Sequence, residues 1–129
     1  MEDAYPAEGL KKRSKQFAIR VIRLFQALPK TDVARILGRQ LLRSATGAAA
    51  NYRAVCRARS KAEFIAKIGV VVEEADETVF WLELLVEAGI VAQRRMEKLH
   101  QEATELLAIF AASQHTARTG NRATGSMKQ

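Results

Sequence analysis

Several architectures are excluded by what this 129-residue chain lacks. It has 1 cysteine, Cys56, so an internal disulfide and a cysteine zinc cluster are ruled out. A single thiol also fits a reducing compartment. With only 2 prolines and 7 glycines, a turn-rich β-sandwich or barrel and a collagen-like chain are disfavoured. No uninterrupted apolar run approaches the roughly 20 residues of a membrane span. The acidic start Met1-Glu2-Asp3 leads into no apolar run, so no secretory signal is expected. A soluble cytoplasmic protein with no membrane partner is the expectation.

Acidic residues are scarce in one half. Residues 1–59 hold 13 Lys/Arg against 4 Asp/Glu, whereas residues 60–129 hold 8 against 10. The formal net charge of +7 therefore originates entirely in the first half. Such asymmetry arises when basic helices pack beside an acidic one, through surface pairs of little worth. It also arises when a patch serves nucleic acid or another polyanion.

What is present is helical periodicity, with apolar residues at 48% and charged residues at 27%. Residues 1–9 carry Pro6 and Gly9 and read as a loose leader. A first helix is predicted from about Leu10 to Leu28, with Phe17, Val21, Leu24, Phe25 and Leu28 on one stripe and Pro29 as its stop. Thr31 offers an N-cap for a second helix over about Asp32–Arg57, whose narrow apolar arc is Leu37, Leu41, Ala45, Ala48, Tyr52 and Val55. Its middle, Ala45 to Ala50, is very small and would admit a close neighbour. Ser60-Lys61-Ala62-Glu63 is a capping box that opens a third helix, which Gly89 ends. Its core stripe is Phe64, Ile68, Val71, Val72, Ala75, Val79, Leu82 and Val86. A fourth helix is predicted over about Val91–Arg118, with Met96, Leu99, Ala103, Leu106, Leu107 and Phe110 inward. The tail, 119–129, has helix breakers and nothing to bury, so disorder is expected there. Four amphipathic helices on short loops predict an all-α, antiparallel up-down-up-down four-helix bundle over 10–118.

The third helix carries a second apolar face, Val70, Phe80, Trp81 and Leu84. Such a patch marks a homo-oligomer interface. The alternative is a central helix flanked on two sides, or cover from the first helix.

Motifs for catalysis are weak. Glu97-Lys98-Leu99-His100 reads as half of a bundle di-metal motif, but no second copy exists. Neither a P-loop, a zinc-protease motif nor a nucleophile elbow is found. Cys56 lies among arginines but has no positioned base. Glu73, Glu74, Asp76 and Glu77 cluster on the third helix, where facing the basic helices or solvent is the expected role. No enzyme activity, cofactor or metal site is expected.

The most directed feature is basic. Arg35, Arg39, Arg43, Arg53 and Arg57 fall within roughly 80° on the second helix, opposite its apolar stripe. Arg59 and Lys61 lie just beyond. Guanidinium forks suit phosphate or carboxylate. The ridge can track a nucleic-acid backbone, or it can be taken up by acids of the third helix in the same or a neighbouring subunit. Only Tyr52 is aromatic nearby, so base stacking is not indicated.

The run Leu41-Leu42-Arg43-Ser44-Ala45-Thr46-Gly47-Ala48-Ala49-Ala50-Asn51-Tyr52-Arg53-Ala54 resembles the central motif of the bacterial four helix bundle protein family. That family includes proteins encoded by intervening sequences of large-subunit ribosomal RNA genes. The runs Arg57 to Phe64, Glu73 to Thr78 and Trp81 to Leu84 continue the resemblance, which covers about residues 10–118. It implies a bundle assembling as a ring, a pentamer being expected. The fold is also similar to that of retroelement accessory variability proteins, basic pentamers that bind nucleic acid and a reverse transcriptase. The resemblance supplies no catalytic residues. It directs attention to Arg43, Asn51, Arg53, Arg57 and Arg59 as a binding surface or an inter-subunit ion-pair set. Two functions follow as expectations. One is a non-enzymatic oligomer that binds RNA or DNA; the other is an oligomeric scaffold for a partner protein.

Overall fold

The structure is a computed structural model that describes residues 7–128, with side chains described as far as Gly120. Its elements are four helices, α1 (Ala7–Ala27), α2 (Asp32–Val55), α3 (Lys61–Glu87) and α4 (Gln93–Lys128). Residues 7–9, read as leader from the sequence, form the first turn of α1; the rest of that leader lies outside the described residues. α4 runs to Lys128, beyond the Arg118 boundary expected from sequence, since an established helix gains a hydrogen bond with each added residue. Of the tail expected to be disordered, Gln129 and the side chains past Gly120 lie outside the described residues.

The ends are set locally. Thr31 sits in extended geometry and its hydroxyl accepts from the Ala34 amide at 3.2 Å. Ser60 does the same for Glu63 at 3.0 Å. The return bond of this capping box goes one residue further back than usual, since the Arg59 amide, at 2.7 Å, donates to the Glu63 carboxylate. That bond holds the Glu63 carboxyl below its ordinary pKa. α3 stops in a Schellman motif: Ile90 N–H reaches the Leu85 carbonyl at 3.0 Å and Gly89 N–H reaches that of Val86 at 3.0 Å. Gly89 has φ +76°, which only glycine adopts cheaply.

Each helix packs on its chain neighbours, and α1 closes the cycle against α4, while α1 and α3 lie diagonally. The α2–α3 pairs Arg43–Glu77, Ser44–Thr78 and Gly47–Glu74 step in opposite directions along the two helices, so these run antiparallel. Glu83–His100 and Gly69–Gln114 give α3 and α4 the same relation. This is the bundle read from the sequence, with its stripes inward. Val21, Leu41, Ile68, Val71, Leu82 and Phe110 are almost wholly buried. Large residues from α1 and α4, Phe17 and Phe110, face Ala45, Ala48 and Ala75 of α2 and α3 around a void of about 10 Å³. Across the diagonal, the Tyr52 and Phe110 ring centroids lie 5.2 Å apart.

Two buried hydroxyls join α2 to α3. Ser44 and Thr78 oxygens lie 2.9 Å apart, with the Leu41 carbonyl 3.1 Å from the first and the Glu74 carbonyl 2.8 Å from the second. Two hydroxyl protons serve three contacts, so whichever way the chain points neither hydroxyl is unpaired. The thinnest seam, α1–α4, is clamped by Arg13. Its guanidinium donates twice to Glu102, at 2.7 and 2.8 Å, and once to Glu105 at 2.7 Å.

Two glycines of α2 test the packing in opposite directions. A Cβ on Gly38 would lie 2.6 Å from Leu28 Cδ1 and 2.9 Å from the Phe25 ring, both packed groups. A Cβ on Gly47 would meet only the Glu74 carboxylate, 2.9 to 3.1 Å away at the end of a flexible side chain. In urea unfolding, Gly38→Ala is expected to cost about 1–3 kcal/mol. Gly47→Ala is expected to be neutral or to gain up to ~1 kcal/mol from helix propensity.

Candidate functional site

α2 is the element that builds the site. Its inner arc alternates small residues with Leu41, Tyr52 and Val55, and its long charged side chains point outward. Arg35, Arg39, Arg43, Arg53, Arg57, Arg59 and Lys61 are exposed, as the sequence spacing requires. Arg53 also lies in the last turn of α2, where the helix dipole favours a cation.

The structure divides this set. Arg43 donates to Glu77 of α3 at 2.7 Å and to Gln40 at 3.3 Å. With side-chain exposures of 60% and 43%, that pair contributes at most about 1 kcal/mol. Arg35, Arg39, Arg53, Arg57, Arg59 and Lys61 make no side-chain ion pair or hydrogen bond among the described residues. The acids of α3 therefore pair with one arginine of the ridge. Between Gly9 and Ser60 the chain has a single acid, Asp32, so the α1–α2 side offers few acidic partners. Lys12, Lys15, Arg20, Arg23 and Lys30 are exposed there or on the flank of α1.

Tyr52, the one aromatic the sequence places near the ridge, is buried at 6% exposure. Half-buried Phe25 does reach the basic surface, in a cleft at the α1–α2 turn shared with Lys30, Arg35 and Arg39. Sequence reading missed this group because Phe25 counts as a core residue of α1 and Lys30 falls between periodic segments. The signal available was the short turn, which must bring the end of α1 against the start of α2.

Among the described residues, Glu74 is the acid whose titration is displaced upward. Its carboxylate lies over Gly47, half-buried. Burial raises its pKa first; Arg43 opposes the shift, and Glu77 and Glu73 add to it. His100 bonds Glu83 of α3 at 2.8 Å rather than serving with Glu97. No group of three potential metal ligands occurs among the described residues.

The second apolar face of α3 splits as well. Phe80 and Val70 are 52% and 44% exposed, whereas Trp81 and Leu84 are half-buried in this chain. α2 and α4 flank α3 on two sides, which accounts for part of that face. Phe80 stands edge-on to Trp81 at 4.9 Å. The Trp81 Nε1–H is buried without a hydrogen-bond acceptor. Val33 and Ile36 of α2 are exposed at 59% and 57%.

These features define a class: an antiparallel four-helix bundle with a basic outer ridge on α2 and apolar residues exposed on α2 and α3. The chain belongs to the family of 23S rRNA-intervening sequence proteins, whose pattern it matches over residues 9–112. It is similar to a crystal structure of a protein of unknown function from the S23 ribosomal protein family of Bacteroides thetaiotaomicron. Identity is 31%, with 85% of this chain and 98% of that one covered and a TM-score of 0.79. No curated protein matches. No helix among the described residues is long and apolar enough to cross a membrane.

Glu74 gives a pH test with a definite sign. Its folded pKa is above the unfolded value, so folding favours the protonated form. The associated stability is fully present below the unfolded pKa and is lost as pH rises through the folded one. Glu74→Gln is therefore expected to be more stable than the parent at pH 7. The difference should vanish below the ordinary carboxylate range in parallel thermal melts.

Proposed function

We propose that the protein is a non-enzymatic homo-oligomer that binds RNA or DNA through the phosphate backbone, using Arg35, Arg39, Arg53, Arg57, Arg59 and Lys61. The observation that carries this reading is a ridge of exposed cations with no acidic partner among the described residues. Unneutralised guanidiniums at this density attract a polyanion and release its counterions, which makes affinity fall steeply with salt. Arg43 stands at the edge of the site, held by Glu77 and free to exchange it for a phosphate at small cost. The absence of an exposed aromatic beside Arg53 and Arg57 favours weak sequence preference.

Self-association multiplies the ridge. Phe80 and Val70, with Trp81 and Leu84 behind them, supply an interface of ordinary chemistry. A ring of five, the assembly that the family resemblance implies, would carry about +35 in all and bind a long polyanion with avidity. The S23 ribosomal name of the crystallographic relative makes structured RNA the first ligand to try. A second reading, a scaffold for a partner protein, draws on the exposed Phe80 and on the Arg43–Glu77 pair. In that case the arginines would be interface pairs and assembly, not nucleic-acid binding, would depend on them.

The test is fluorescence anisotropy with a structured RNA and a DNA duplex, joined to light scattering. At about 50 mM salt, binding is expected and should weaken on the order of a thousandfold by 200 mM if six phosphates are contacted. Arg39→Glu with Arg53→Glu should lower affinity at least about tenfold and flatten the salt slope with the melting temperature unchanged. Phe80→Asp should reduce the oligomer without unfolding the chain. No binding at low salt eliminates the nucleic-acid reading. Loss of assembly in the double charge reversal favours the scaffold.

A further inference from the structure

We propose that the cleft at the α1–α2 turn is a discrete phosphate subsite, formed by Lys30, Arg35 and Arg39 against a wall of Phe25 and Gln26. The proposal deepens the nucleic-acid reading and rests on it for the identity of the ligand, a phosphate of a polynucleotide chain.

The basic ridge is not uniform. Arg53, Arg57 and Arg59 lie at the far end of α2, outside the cleft. Arg35 and Arg39 border an open cleft of about 300 Å³, together with Phe25, Gln26, Leu28, Pro29 and Lys30. Arg35 and Arg39 are one helical turn apart, with Cβ atoms roughly 5–6 Å from each other, so their guanidiniums can close on one anion. Lys30 enters from the turn and adds a point charge to two planar forks. None of the three has an ion-pair partner among the described residues. The one nearby acid in sequence, Asp32, does not line the cleft. It is the N1 residue of α2, just after the Thr31 cap.

The cleft is held open by packing beneath it. Gly38 leaves room for the Leu28 and Phe25 side chains, which would otherwise be 2.6 and 2.9 Å from a Cβ. Leu28 is buried, at 6% exposure, and Pro29 stiffens the turn after it. The Phe25 ring, half-buried, gives the cleft one apolar wall on which a ribose or base attached to the phosphate can rest. Cationic forks, a concave seat and an aromatic edge together fit a nucleotide phosphate better than a carboxylate side chain, which needs neither the third cation nor the wall.

The experiment is an NMR titration of the full chain with inorganic phosphate, followed through arginine Nε–H and backbone amide signals, beside RNA binding by anisotropy. Phosphate is expected to shift Arg35, Arg39 and Lys30 at concentrations that leave Arg53, Arg57 and Arg59 unmoved. Lys30→Gln/Arg35→Gln/Arg39→Gln should abolish those shifts and weaken RNA binding by about tenfold per cation removed. All three residues are exposed, and an unchanged melting temperature verifies the fold of the variant. Arg53→Gln/Arg57→Gln/Arg59→Gln should weaken RNA binding and leave the phosphate shifts intact. Shifts spread evenly over all the arginines, or no shift in the cleft, overturn the subsite. So does RNA binding indifferent to the cleft variant, and in that case the nucleic-acid reading survives. Phosphate shifts confined to the cleft in a protein that binds no RNA or DNA support the subsite and remove the nucleic-acid reading.

Discussion

The close approach of α2 to α3 is the constraint from which the rest follows. Ala45, Ala48 and Ala75 leave little between the helices at mid-bundle, and the Ser44–Thr78 bond fixes their register. Buried hydroxyls are costly unless partnered, and here each finds its partner only in one alignment of the two helices. A slip by one turn would leave Ser44 and Thr78 apart and bring the Glu74 carboxylate off glycine onto a side chain. The small face also makes room for Phe17 and Phe110, so volume missing on α2 and α3 is supplied by α1 and α4.

The same constraint exposes the arginines. A helix that buries one face of small residues with Leu41, Tyr52 and Val55 places its arginines outside. α2 has one acid, Asp32, so nothing on that helix beyond its first turn neutralises them. α3 carries the acids, yet its register with α2 delivers just Glu77 to the ridge, at Arg43. Elsewhere acid and base do meet, at Arg13 with Glu102 and Glu105, where the ion pairs tie the α1–α4 seam. Charge among the described residues thus both closes the weakest seam and leaves most of the α2 ridge without an acidic partner.

Much of this was legible in the sequence. Thr31, Ser60 and Gly89 announced three helix ends by the chemistry of caps, and the apolar stripes named the core because a helix buries one face at 3.6-residue spacing. Thr78 and Ser44 escaped notice because a hydroxyl in a stripe looks like a polar interruption until its partner is known. Trp81 and Leu84 read as a free patch together with Phe80. Their partial burial comes from how α3 is flanked, a fact of assembly that periodicity does not contain.

By itself, then, the sequence determined the number of helices, their inward faces and the sign of charge on each, since these depend on spacing along one chain. Only the tertiary structure decided which arginine is paired, which hydroxyls meet and that Phe25, Lys30, Arg35 and Arg39 share one cleft. Those outcomes depend on the register between helices, and register is set by the summed packing of many side chains rather than by any residue's place in its own helix.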